Sequence, residues 1–314
     1  MKKTVAFALC LLLLLSLAAC GAPTARGEGI QVVATLFPQY DFARNIAGER
    51  ATVELLLDVG ADAHSYDPTP ADIMAIAGAD LFIYTGGDME LWAEKLLASA
   101  DIQKAIGSGS LRVLDLSQLV ELLCTQGHDE GEGHDHAHGE YDPHIWTSPD
   151  NAQDMVNAIT HALIDLDPDG MTEYKANAAA YTAELVLLAD ELETMLADAR
   201  QDTGYFGGSF AFAYLFHDAD LSHMSVFEGC ASHAEASAAD IAAVVSAAKA
   251  SGARYVLYDS PSEEKTAKTV AAEVGAELLR LHAIHNITKK EFDAGEDYCS
   301  LMRQNIEALR KALG

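Results

Sequence analysis

Three short turns carry the side chains best suited to chemistry: His64 in GADAHSYDPTPAD, His144 in YDPHIWTSPDNA and Asp259 in YDSPSEE. Neutral imidazole and carboxylate are the donor types that hold Zn2+ and, with more oxygen, Mn2+. One such histidine alone is more often a hydrogen-bonded structural residue than a ligand. Two of them in separate Asp/Pro-rich turns, with a carboxylate in a third, weigh toward a shared cation. Each turn precedes a helix start: Thr69 and Ser148 are N-caps followed by Pro70 and Pro149, and Ser260, Pro261 and Glu263 spell a capping box. Turns this stiff fix the direction of what they carry.

Strands and helices must position these turns. From Gln31 onward, β-rich apolar runs alternate with helical patterns, at 31–37, 53–58, 81–86 and 111–116, then at 203–206, 222–227, 254–259 and 277–282. This alternation predicts parallel sheets covered on both faces, one in each half, with no sequence repeat relating the halves. Between them, apolar positions at Tyr174, Ala178, Tyr181, Leu185, Leu188, Leu192 and Met195 step by four and three. That stepping predicts a helix of about 28 residues, roughly 40 Å long, with Asp167 as N-cap and Pro168 in its first turn. A coiled-coil dimerisation helix is the alternative; an intramolecular strut in a monomer is preferred. The expected fold class is therefore α/β, two parallel-sheet lobes bridged by a long rigid α-helix. Ligands of open parallel sheets bind beyond the carboxyl ends of the strands, where the three turns fall.

With 314 residues, 50% of them hydrophobic, the chain can bury a large core in roughly two domains of about 150 residues. A formal net charge of -28 repels phosphate backbones and anionic headgroups, so no nucleic-acid partner is expected and cations are the natural small ligands. Residues 1–20, MKKTVAFALCLLLLLSLAAC, read as an export signal: a basic start, an apolar stretch and small residues before Cys20. The LAAC ending resembles a bacterial lipobox, which implies cleavage before Cys20 and its lipidation, with residues 21–29 as a flexible tether. The protein is then exported and lipid-anchored to the outer face of the cytoplasmic membrane. Of Cys124, Cys230 and Cys299, the last two are the preferred disulfide pair. The run GHDEGEGHDHAHGE at 127–140 carries His128, His134, His136 and His138 among five acids and four glycines, a composition suited to transient metal contacts.

Taken together, the chain resembles the metal-binding lipoproteins of zinc and manganese ABC importers, the cluster A-I solute-binding family. The motifs that carry the resemblance are LAAC, GADAHSYDPTP, YDPHIWTSPDNA, the linking helix and the run DYCSLMRQNIEAL near the end. It implies two α/β lobes with the metal in the cleft between them: an N-terminal lobe at 30–167, a linking helix at 168–200 and a C-terminal lobe at 201–314. It also implies metal-ligand roles for His64, His144 and Asp259. One family position departs: where an H-x-A-F-x-Y motif is usual, this chain reads SFAFAY, with Ser209 in the His place. A serine hydroxyl is a poor zinc ligand. His285, just past the strand at 277–282, is the preferred fourth ligand, with His217, His223 and His233 as alternatives.

The resemblance implies capture of Zn2+, with Mn2+ as the second candidate, and delivery to an ABC permease and its ATPase subunit. His-rich loops in this family resemble those of zinc-selective members, which favours zinc. Imidazole ligation implies weakening below about pH 6.5. A zinc hydrolase is disfavoured, because HExxH, G-x-S-x-G and a glycine-rich phosphate loop are all missing from the sequence. A surface adhesin is a further alternative.

Overall fold

A computed structural model of the chain describes residues 29–124, 141–227, 237–259 and 263–314. Strands β1 (Ile30–Ala34), β2 (Ala51–Leu55), β3 (Leu81–Tyr84) and β4 (Arg112–Asp115) form a parallel sheet in the order β2-β1-β3-β4. Strands β5 (Thr203–Ser209), β6 (Ser222–Phe227), β7 (Tyr255–Tyr258) and β8 (Glu277–Arg280) form a second parallel sheet, ordered β6-β5-β7-β8. Every residue of β3 is buried, as expected of a strand covered on both faces. In each sheet the strand order reverses once, between β1 and β3 and between β5 and β7, and the crevice at such a switch point is the usual ligand position.

The helices that matter to the site are α1 (Phe37–Ala47), α2 (Pro70–Gly78), α3 (Pro149–Leu166), α4 (Met171–Ala197), α5 (Glu264–Val274) and α6 (Tyr298–Leu313). Along the 27-residue α4 the buried positions are Tyr174, Ala178, Tyr181, Leu185, Leu188, Leu192 and Met195, the same seven that the spacing picks out. Its start differs from expectation. Pro168–Gly170 forms a separate 3₁₀ turn, and the long helix begins after it at Met171, with Gly170 as its N-cap. The Asp167 carboxylate accepts from Arg50 Nε at 2.8 Å and from the Tyr174 hydroxyl at 2.9 Å. A guanidinium offers stronger, charge-assisted bonds than the orphan backbone amides of a helix end.

One hydrophobic cluster runs from Phe42 and Trp146 through Leu185 and Leu188 to Phe206 and Leu309, joining both lobes to the long helix. A polar hub reinforces this side. Asp41, fully buried on α1, accepts from Arg44 Nε at 2.9 Å, Tyr181 Oη of α4 at 2.7 Å and Tyr298 N of α6 at 3.2 Å. Burial pushes its carboxyl pKa up, with Arg44 opposing. Cys299, the expected partner of Cys230, is a buried free thiol whose pKa burial pushes up to about 12; Cys230 lies outside the described residues. Its side chain belongs to the core cluster that α6 presents to the long helix, where burial leaves it inert.

Candidate metal centre

The first lobe supplies two imidazoles on short turns. After β2 the chain turns at Asp58–Ala61, and Asp62 accepts the His64 amide at 2.9 Å, fixing a 3₁₀ turn at Ala63–Ser65. Thr69 and Asp72 then close a capping box at the start of α2. His144 is 1% exposed, and Asp142 Oδ1 accepts both its amide at 2.8 Å and its Nδ1 at 3.0 Å. A carboxylate on Nδ1 fixes the tautomer and leaves Nε2 as the donor toward a cation. Trp146 packs edge-on to the ring, and Ser148 caps α3 through the Asn151 amide.

The second lobe answers with Asp259 and with the segment after β8. Asp259 follows β7, is 7% exposed, and its Oδ1 accepts the Ala283 amide at 2.8 Å. From His282 to Ile287 the chain is strapped across to the first lobe. Trp146 Nε1 donates to Ala283 O at 2.7 Å, Phe37 N to His285 O at 3.2 Å, and Asn286 Nδ2 to the carbonyls of Asp58 and Ala61, both at 2.8 Å. Within the strap, Ile284 is fully buried and left-handed at φ 63°, a conformation that costs a β-branched residue on the order of 1–3 kcal/mol. Its amide donates to His282 Nδ1 at 2.9 Å. This kink aims His285 toward the first lobe.

Three rings meet there: His64 lies 5.7 Å from His144 and 5.6 Å from His285, centroid to centroid. Burial, then the neighbouring imidazoles, hold His64 down to about 4; burial, then His144 and His282, hold His285 down to about 3. Both rings are therefore neutral lone-pair donors at pH 7, and the expected onset of acid weakening moves down accordingly. Asp259 lies close enough to favour the charged form of His64, and His285 Nδ1 is buried without a hydrogen-bond partner. Among the described residues no three His, Cys, Asp or Glu side chains are already drawn into metal-holding spacing. The candidate ligands are neighbours, not yet a closed cage.

The alternatives lie elsewhere. His217 is exposed beside Asp218, and the His223 ring stacks on Phe210 at 3.5 Å. His233, the loop residues His128, His134, His136 and His138, and Cys20 lie outside the described residues. Ser260 and Pro261 of the expected capping box lie outside the described residues; α5 begins at Glu264, and the Glu263 carboxylate accepts from Ser209 N at 3.1 Å and from Ser209 Oγ. That contact spans 54 residues, so no local pattern announces it. Asn286 was also passed over. The Asp-x-His spacing of Asp142 and His144 is the one signal that could have found a supporting residue.

Residues 32–312 match the family model "Zinc-uptake complex component A periplasmic". The chain is 32% identical over 296 residues to the zinc-binding protein AdcA of Streptococcus pyogenes serotype M18 (strain MGAS8232), covering 90% of this chain and 55% of that protein. It is 32% identical over 302 residues to the high-affinity zinc uptake system protein ZnuA of Bacillus subtilis (strain 168), covering 93% and 90%. The chain thus spans about half the length of the AdcA relatives it matches. Its fold is similar to the Zn(II)-bound ZnuA-like domain of Streptococcus pneumoniae AdcA, with a TM-score of 0.74, 29% identity, and 91% of this chain and 99% of that one covered. The chain belongs to the zinc-uptake complex component A periplasmic family.

Proposed function

We propose that this protein binds one Zn2+ in the cleft between its lobes and delivers it to an ATP-driven membrane importer, held at the outer face of the membrane by lipid on Cys20. The observation that carries this reading is the meeting of His64, His144 and His285, two from the first lobe and one from the second, with His64 and His285 held neutral by burial. Asp259 completes the set as the carboxylate, and Ser209, in the position of the family histidine, leaves that role to His285. The division into lobes at 30–167 and 201–314, joined by the helix at 168–200, fits ligands shared between halves. The metal is cargo, so the protein works as a carrier and not as an enzyme. Release follows when docking on the permease parts the lobes and separates His64 and His144 from Asp259 and His285.

Zinc titration by calorimetry tests the assignment. Asp259→Ala and His64→Ala each lower zinc affinity by about a hundredfold or more, as loss of a metal ligand requires, while both metal-free proteins still melt cooperatively, Asp259→Ala somewhat lower because the Ala283 amide loses its acceptor. Unchanged affinity in both variants removes the site.

A further inference from the structure

At the carboxyl end of the second sheet, Asp259 is accompanied by another carboxylate. Glu263 is drawn onto the end of β5 by Ser209, whose amide is shared between both carboxylate oxygens and whose hydroxyl bonds one of them. The close approach depends on two glycines where the β5–β6 register shifts. A Cβ on Gly208 would fall 2.3 Å from Glu263 Oε2, and one on Gly207 would fall 2.5 Å from Ala267 Cα. Ser209 and Asp259 terminate adjacent strands, β5 and β7, so both carboxylates stand at the switch point of this lobe.

Ser209 and the start of α5 hold the Glu263 carboxylate without supplying a countercharge. Burial raises the Glu263 pKa, and the one charged group acting on it among the described residues is Asp259, of like sign. Two neighbouring, partly desolvated carboxylates repel, and the nearby Arg280 guanidinium is turned to the Asp259 backbone carbonyl at 3.1 Å and to Glu291 at 2.9 Å. A dication beyond the ends of β5 and β7 relieves both at once.

Resting on the cleft's being a metal site, we propose that Glu263 is a further metal-facing carboxylate of that site and that Ser209 is its positioning residue. Ser209 then stands in for a ligand indirectly. Its hydroxyl is too short to serve itself, and the carboxylate it holds extends its reach by one hydrogen bond. The cleft consequently offers three imidazoles and two carboxylates, a set richer in oxygen than imidazoles with a single carboxylate. Oxygen donors favour Mn2+ more than they favour Zn2+, so Glu263 tunes selectivity toward tolerance of manganese.

The test is titration of Zn2+ and Mn2+ separately into the wild type, Glu263→Gln, Ser209→Ala and the double variant, with thermal melting of each metal-free protein. Glu263→Gln lowers Mn2+ affinity by about tenfold or more and Zn2+ affinity by less, and Ser209→Ala shifts both in the same direction by a smaller factor. The double variant binds no more weakly than Glu263→Gln alone, because Ser209 acts through Glu263. Metal-free Glu263→Gln melts at the wild-type temperature or above it, since a repulsion is gone, whereas a structural brace would melt lower. Unchanged affinity for both metals in Glu263→Gln overturns the proposal, as does multiplication of the two single losses in the double variant. If Asp259→Ala still abolishes binding in that case, the cleft remains the metal site and Glu263 alone is excluded. A wild type that binds neither metal brings down both.

Discussion

At the switch point of the first sheet, Glu90 is 2% exposed and surrounded by neutral groups: the amides of Thr85 and Gly86 reach its Oε2 at 2.7 and 3.1 Å, and the Thr35 hydroxyl meets its Oε1. At the switch point of the second, Glu263 is only partly buried and stands beside Asp259. Topology puts a hydroxyl-bonded glutamate at the carboxyl end of the central strands in both lobes, and the surroundings then give the two different work. The Thr35 hydroxyl has one proton and two acceptors, the Gln39 carbonyl oxygen at 3.0 Å and the Glu90 carboxyl. A protonated Glu90 resolves the conflict by donating to Thr35, and burial accordingly pushes its pKa up to about 7. Glu90 is a sealed structural group that needs no cation; Glu263 shares its crevice with a second carboxylate.

The largest expected effect is on stability and falls in the first lobe. Glu90→Ala strands the Thr85 and Gly86 amides in a cavity and destabilises by roughly 3–5 kcal/mol, the sum expected of unmet buried donors and lost packing. Urea denaturation reads it directly. Glu263→Ala costs less than about 1 kcal/mol by the same measurement, as a half-exposed carboxylate with a like-charged neighbour should. If Glu90→Ala, still folded, loses metal affinity as Glu263→Ala does, the contrast between the lobes collapses.

Acid separates the cleft histidines from Glu90. His64 and His285, at about 4 and about 3 in the folded state, lie below the 6.5 of an exposed imidazole, so the unfolded chain binds protons that the folded one refuses. Their effect is a loss of metal-free stability as pH falls below 6.5, by about 1.4 kcal/mol per pH unit for each ring. Glu90 acts in the opposite sense: its folded value of about 7 exceeds the unfolded 4.5, so its contribution is full below pH 4.5 and is lost as pH rises to 7. Glu90→Gln imitates the protonated carboxyl. It should be more stable than the wild type by about 3 kcal/mol at pH 7.5, converge with it near pH 4.5, and show the steeper slope between. Parallel curves for the two proteins would show that Glu90 does not carry a raised pKa. Saturating zinc removes the histidine limb, since bound imidazoles titrate in neither direction until the metal leaves.

Much of this was legible from local pattern, because local pattern is what Thr69-Pro70, Ser148-Pro149 and the seven apolar positions of α4 express. His285 was reachable for the same reason: it follows a recognisable strand at a recognisable sheet end. The misses share a physical cause. Asp167 gives its carboxylate to Arg50, 117 residues away, and Glu263 gives its own to Ser209, 54 residues away. Side chains that pair across the fold look like ordinary helix punctuation in one dimension. The lobes' shared strand order was likewise invisible, since a parallel sheet asks only for apolar runs and those need not match in sequence.

Asn286 supplies the finest test, because it belongs to neither lobe's interior. Its Nδ2 spends both protons on the Asp58 and Ala61 carbonyls at the root of the His64 turn, while its Oδ1 accepts the Ile287 amide at 2.8 Å. These bonds register one candidate ligand turn against the other, His64 against His285, across the cleft. Asn286→Ala frees two carbonyls at a cleft edge where water can replace the donor, so the net loss of stability is about 1 kcal/mol. Zinc should nevertheless dissociate several-fold faster, up to about tenfold, because the ligands are no longer held in register. Asn286→Asp keeps the shape and puts a carboxylate against two carbonyl oxygens, so its dissociation is faster still. Stopped-flow release into a chelator measures both. If neither variant changes the off-rate, the strap ties the lobes together without holding the ligands, and His285 owes its aim to the left-handed Ile284 alone.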